Sequence, residues 1–119
     1  MSNTQKDLYK KFLGLKGEKL AEKHLKKLGY KILKTNYVTP FGEADIVCSI
    51  DGVLVFAEVK TRSNCAFGTP ADAVNFVKQK KYRQIAEYYL LTKNIDDVEV
   101  SFMVVEVMDD TVNLITDAF

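Results

Sequence analysis

The chain has 119 residues, the size of one ordinary domain, and 47% hydrophobic with 28% charged residues is a globular composition that excludes a disordered or fibrous chain. The opening MSNTQKD does not resemble a secretory leader, so none is expected, and no apolar run approaches the roughly 18 residues of a membrane span. A net charge of +1 conceals strong segregation: residues 1–37 hold ten Lys and three acids, 38–59 four acids and no base, 60–83 six bases and one acid, and 84–119 eight acids and one base.

A small acidic centre is thus bracketed by two basic blocks, a pattern that suits a polyanionic partner or, more simply, a solvated Lys-rich helix face. In chain order, residues 8–28 read as an amphipathic helix. Leu13, Leu20, Ala21, His24, Leu25 and Leu28 fall on one side, and Lys16, Lys19, Lys23, Lys26 and Lys27 on the other. Gly29 supplies a C-cap. Residues 30–36 form a short strand that Thr39-Pro40-Phe41-Gly42 interrupts. Residues 43–50 and 53–62 are strands joined by Asp51-Gly52, a hairpin signal. Asn64 to Gly68 is a loop, and Thr69 caps a helical turn begun by Pro70. A second helix covers 76–92, with Tyr82, Ile85 and Tyr89 at core spacing. Strands at 98–108 and 111–116 follow. The order α-β-β-β-α-β-β implies an α/β domain over 1–119, a mixed sheet flanked by helices.

The strand Val55-Phe56-Ala57-Glu58-Val59-Lys60-Thr61-Arg62 places Glu58 and Lys60 on the face that Leu54 and Phe56 share, where core should continue. A register set by Asp51-Gly52 brings Asp45 opposite Glu58 and Glu43 opposite Lys60. Opposed like charges destabilise a sheet. A divalent cation between the carboxylates turns that cost into a binding site, and carboxylate oxygens with water suit Mg²⁺ or Mn²⁺. Lys60 then stands beside the metal to contact a nucleophilic water or a scissile phosphate. Glu18, at the border of the first helix's apolar side, is a third carboxylate within reach. The alternative is a pair of ordinary cross-strand contacts on a solvated face. The single His24 argues against His-based zinc chemistry. Cys48 and Cys65 have neither metal-ligand spacing nor a disulfide framework, as expected of free thiols in a reducing cytoplasm.

Asp45 followed by Glu58-Val59-Lys60 resembles the D…ExK constellation of PD-(D/E)XK nucleases. The surrounding segments are more specific: Gly17-Glu18-x-x-Ala21, Gly29-Tyr30-x-Ile32-Leu33-x-x-Asn36, Gly42-Glu43-x-Asp45-Ile46-Val47, Glu58-Val59-Lys60-Thr61-Arg62, Phe67-Gly68-x-Pro70, Ala73-Val74, Lys78-Gln79 and Asp117-Ala118-Phe119. Together they resemble the small bacterial YraN-type endonuclease-like family, itself similar to archaeal Holliday-junction resolvases, over about residues 12–119. Ala44 and Met103 depart from that pattern, where a larger aliphatic residue and an Asp are usual. The resemblance implies a restriction-endonuclease-like core and a metal-dependent endonuclease acting on DNA, branched or Holliday-junction DNA included. It matches Glu18, Asp45, Glu58 and Lys60 to the active-site motif, with Gln79 as a supporting polar position and Asp45, Glu58 and Glu18 as ligands of Mg²⁺ or Mn²⁺. Arg62, Lys78, Lys80, Lys81 and Arg83 are expected to grip flanking phosphates. A junction enzyme acting on paired strands favours a two-fold dimer. No organic cofactor and no membrane are expected. The alternatives are a nucleic-acid-binding module of the same fold without significant turnover, and a metal-free interaction protein.

Overall fold

The computed structural model describes residues 3–62 and 76–119, without the side chains of residues 3, 4, 6, 7, 9 and 10. The elements are α1 (Asn3–Lys27), β1 (Lys31–Thr39), β2 (Gly42–Ile50), β3 (Val53–Arg62), α2 (Phe76–Lys93), β4 (Glu99–Met108) and β5 (Thr111–Thr116). The expected α-β-β-β-α-β-β order is the observed one. Helix α1 starts earlier than the periodicity suggests and β1 runs on to Thr39. Cys65, the 64–68 loop and the turn expected at Thr69-Pro70 lie outside the described residues.

Both helices end through the same device. Gly29, at φ +98°, follows α1; its N–H donates to the Lys26 carbonyl (3.1 Å), and the Tyr30 N–H donates to Leu25 (3.0 Å). Asn94, at φ +57°, repeats this after α2, with Ile95 donating to Leu90 (3.0 Å). This is the paired closure of a left-handed C-cap, which satisfies carbonyls that a helix end leaves open. Leu28, placed by its spacing on the apolar side of α1, is 51% exposed because it belongs to this cap.

The five strands form one sheet in the order β1-β2-β3-β4-β5. Only β3–β4 is parallel, which requires a crossover, and α2 lies within it. The two faces bury separate cores. One gathers Ala21 and Leu25 of α1 against Ile46, Cys48, Val55, Ala57, Met103, Val105 and Val107. The other gathers Tyr82, Ile85, Ala86 and Tyr89 of α2 against Ala44, Val47, Leu54 and Phe56. Met103 is simply a core residue, 1% exposed. Phe119 closes the second core, stacked on Phe102 with centroids 5.0 Å apart and edge-on to Tyr82 at 5.6 Å. Among the described residues, no helix is long and apolar enough to cross a membrane.

Regular pairing in this sheet has one decisive interruption. From the Asp51-Gly52 turn, β2 and β3 pair from Ile50–Val53 to Ile46–Ala57, and there the ladder ends. Beyond that point β2 stays with β1 as far as Gly42–Thr39, and β3 stays with β4 as far as Arg62–Met108. Side-chain alternation also slips in β2: Ala44 and Val47 pack toward α2, whereas Ile46 and Cys48 pack toward α1. The expected pairs of Asp45 with Glu58 and Glu43 with Lys60 therefore do not form as ladder partners. Regular alternation through Asp45 was the assumption that failed.

Helix α1 lies over this split at close quarters. A Cβ built on buried Gly17 would stand 1.9 Å from Thr61 Oγ1 and 3.0 Å from Thr61 Cβ, so only glycine allows the helix to touch the end of β3 there. Gly14 has nothing within 4 Å of its own built Cβ. Alanine ordinarily favours a helix interior over glycine by about 1 kcal/mol. Gly14→Ala should therefore raise the melting temperature. Gly17→Ala should lower it by several degrees, on the scale of about 1–3 kcal/mol for overpacking. Thermal melts of the two variants and of Gly17→Ala/Thr61→Ala, which should recover part of the loss, check the contact.

Candidate active site

Where β2 and β3 part, the Val59 N–H loses its strand partner, and a buried donor left so is costly. Asp45 supplies the acceptor: Val59 N–H donates to Asp45 Oδ2 at 2.7 Å. The gap between the strands opens as a cleft of about 460 Å³, lined by Glu18, Asp45, Glu58, Val59 and Thr61 with Leu13 and Gly14. Three of the four residues matched to the motif thus line one cavity. They arrive from different directions, Glu18 from α1 and Glu58 from the strand face that α2 covers.

Glu58 is 7% exposed and heavily engaged. Lys78 Nζ donates to its Oε1 and the Tyr82 hydroxyl to its Oε2. Lys60 Nζ lies 3.4 Å from Oε1. Lys60 therefore pairs with Glu58 along its own strand. Lys78 and Tyr82 are four residues apart on α2, so one helical face delivers both donors. Sequence grouped Lys78 with the phosphate-binding residues and Tyr82 with the core; here both converge on Glu58. The signal was available in part. Glu58 shares the face of Leu54 and Phe56, and the helix carrying Tyr82, Ile85 and Tyr89 covers that face.

The electrostatics follow from burying carboxylates together. Burial pushes Asp45 up to about 7, the Val59 N–H opposes this, and the charges of Glu58 and Glu18 add to it. Glu18 is also raised, first by desolvation, with Glu43 and Glu58 contributing. Desolvation lowers Lys60 below the usual lysine range; Glu58 opposes this and Lys78 reinforces it. Lys78 moves the other way: burial works against its charge, but its bond and attraction to Glu58 outweigh burial. Burial, then the Glu58 charge, keeps Tyr82 a phenol and hence a donor.

The remaining expected residues spread outward. Gln79 is half-buried beside Lys78 on α2, while Lys80, Lys81 and Arg83 are exposed on that helix. Arg62 is half-buried at the end of β3, in a neighbouring cavity with Lys16, Gly17 and Thr61. Ser101 and Asp117 are joined by a hydrogen bond (3.0 Å) far along the sheet. Cys48 is a buried core thiol pushed up to about 12 by desolvation, which leaves it un-ionised and unreactive.

Among the described residues, no three His, Cys, Asp or Glu side chains already stand together as a ready metal cage. The donor set nevertheless suits a hard cation. Its oxygens are carboxylate oxygens, the Val59 N–H and Lys78 only partly offset the burial and repulsion felt at Asp45, and the cluster has drawn the Lys78 ammonium onto Glu58.

An α/β protein whose sheet splits around a carboxylate cleft is what this fold and site define. The chain belongs to the uncharacterised protein family UPF0102, whose model matches residues 17–107, and this is the YraN-type family that the sequence resembles. It is similar to a UPF0102 protein of Alkaliphilus oremlandii, 48% identical over 99 residues covering 82% of this chain and 85% of that one. UPF0102 proteins of Clostridioides difficile (40% over 105 residues, 87% and 92% covered) and Caldanaerobacter subterraneus (41% over 102 residues, 86% and 84%) are similar too. Strands β1, β2 and β3 lie within the matched region, β4 does so except for its last residue, and β5 lies beyond it.

The raised Asp45 carboxyl makes a prediction with a definite sign. Unfolded, Asp45 ionises near 3.8; folded, at about 7. Between those values the folded state holds the extra proton, so stability falls as pH rises through that window, and above it the full penalty of a few kcal/mol applies. Asp45→Asn keeps an acceptor for Val59 N–H and removes the charge. In metal-free melts at pH 8 the variant should be the more stable, with a flatter profile between pH 4 and 7. A variant less stable than wild type at pH 8 would make the Asp45 charge a stabilising one.

Proposed function

We propose that this protein is a metal-dependent endonuclease that hydrolyses phosphodiester bonds in DNA, with branched DNA as the substrate class that the family resemblance favours. The observation that carries this reading is the cleft at the strand split, where Glu18, Asp45 and Glu58 line one cavity and two ammonium groups stand beside Glu58. Asp45, Glu58 and Glu18 are the residues to hold Mg²⁺ or Mn²⁺. When bound, such a cation supplies charge stabilisation at the attacking and leaving oxygens and lowers the pKa of water.

The chain's own residues do the rest. Lys78 holds Glu58 from α2, and its ammonium would be free to meet a phosphate at the cleft if a cation took its place on that carboxylate. Lys60, held at Glu58 and with its pKa lowered, is placed to contact the attacking water or the scissile phosphate and to stabilise the charge that develops there. Tyr82 keeps the Glu58 carboxylate from swinging away, and Phe119 packs behind Tyr82. Arg62, Lys80, Lys81 and Arg83 take up flanking phosphates without reading sequence.

One observation favours a second reading. Lys78 already neutralises Glu58, which is also how a DNA-binding module with this fold and no turnover would keep its cleft stable. Cleavage of junction, flap, linear and single-stranded DNA with Mg²⁺ or Mn²⁺ separates the two.

Under the nuclease reading, Lys60→Ala should lower single-turnover cleavage by about 10²–10³, the scale of one well-placed electrostatic donor. DNA affinity measured in Ca²⁺ should hardly change. Lys80→Ala or Arg83→Ala should instead weaken binding and make its salt dependence shallower by about one contact. A Lys60→Ala protein that cuts at the wild-type rate would reduce Lys60 to a structural partner of Glu58.

A further inference from the structure

Asn36 sits within β1 in the left-handed region, at φ +49°, although a strand offers no turn to require it. The flanking pairs Thr35–Ile46 and Tyr37–Ala44 place it across from Asp45, at the level where β2 leaves β3. Left-handed backbone is uncommon outside glycine, and Asn is among the residues that tolerate it at least cost. A strained conformation beside a functional cleft points to a side chain that must be aimed.

What it is aimed at is visible. With its amide nitrogen turned toward the carboxylates, the orientation that satisfies both ends of the group, Asn36 donates to Glu18 Oε2 at 3.3 Å and to Glu43 Oε1 at 3.1 Å. Glu18 and Glu43 repel one another. The amide is thus the bridge between two like charges, one on α1 and one on β2. It borders a small cavity of about 150 Å³ that Glu18 and Asp45 also line, on the α1 side of the sheet.

We propose that Asn36 is a positioning residue of the cleft. Its amide holds the Glu18 carboxylate toward the strand split and cancels the repulsion that Glu43 would otherwise exert on it. Glu43 is then a counter-anchor outside the cleft, and it does not replace Glu18 as a ligand. This inference rests on the reading of the cleft as a divalent-cation site.

The test is a cycle of Asn36→Gly, Glu43→Gln and the double variant. Glycine keeps the backbone conformation and loses the amide, so Asn36→Gly should fold with a near-wild-type melting temperature. Its affinity for Mn²⁺ alone, by calorimetry, should weaken roughly tenfold or more, the scale for losing a partner that orients a metal ligand. With DNA the loss should fall on kcat, leaving KM little changed. Glu43→Gln alone should bind Mn²⁺ within about twofold of wild type, and adding it to Asn36→Gly should recover a good part of the loss, because the repulsion is gone. Should Asn36→Gly not fold, Asn36→Ala removes the amide without adding a charge and should weaken Mn²⁺ about as much. Wild-type Mn²⁺ affinity in whichever variant folds, or no recovery in the double variant, overturns the positioning role while the nuclease reading stands. Wild-type protein that neither binds Mn²⁺ nor cuts DNA overturns the reading itself and this inference with it.

Discussion

The hydrogen bond from Val59 N–H to the Asp45 carboxylate is the constraint on which the rest of the site depends. Two strands that leave a shared ladder expose main-chain donors, and a sheet ordinarily closes rather than tolerate this. Here a carboxylate satisfies the donor at 2.7 Å and holds the strands apart. The split then has a wall, a floor and a charge. Regular pairing of β2 with β3 stops at Ile46–Ala57, and the cleft lined by Asp45 and Glu58 opens beyond it.

The second consequence is electrostatic. A split in the middle of a sheet is half-buried, so the carboxylates that line it are desolvated and repel one another. Each is managed locally. Glu58 is held by Lys78, Tyr82 and Lys60, and Glu18 by the Asn36 amide, while Asp45, with the Val59 N–H and the Lys78 charge both working in its favour, is still pushed up to about 7 by burial. The two helices share the task. Helix α1 brings Glu18 close through Gly17, where no side chain fits, and α2 brings Lys78 and Tyr82 on one face. With Lys78 and Lys60 both drawn onto Glu58, Asp45 and Glu18 are the carboxylates whose repulsion a doubly charged cation would relieve.

Much of this was legible in the chain. Element order, the Asp51-Gly52 turn, the Gly29 cap and the core spacing of Tyr82, Ile85 and Tyr89 are local signals with local causes, and they survive folding. The face of Glu58 and Lys60 followed from simple alternation along β3. Asp45 did not, because the slip between Ala44 and Ile46, where the β2–β3 ladder ends, leaves no mark in composition. The tasks of Lys78 and Tyr82 were hidden for another reason. Periodicity says which side of α2 turns inward, but only the β3–β4 crossover says which sheet face receives it. Asn36 stood in a family pattern without a role until its backbone conformation and its two carboxylate neighbours were visible together. The proposed phosphate contacts of Arg62, Lys80, Lys81 and Arg83 remain as the sequence had them, basic side chains at the end of β3 and on α2.

The central claim is that the strand split is the divalent-cation site of this protein. Amide resonances recorded during a substoichiometric Mn²⁺ titration test it directly, since the paramagnetic ion broadens the nearest nuclei first. The account predicts early loss of Asp45, Val59 and Glu18 while the resonances of the acidic β4–β5 turn at Asp109 and Asp110 persist. Early loss at Asp109 and Asp110, with Asp45 and Val59 intact, would contradict it.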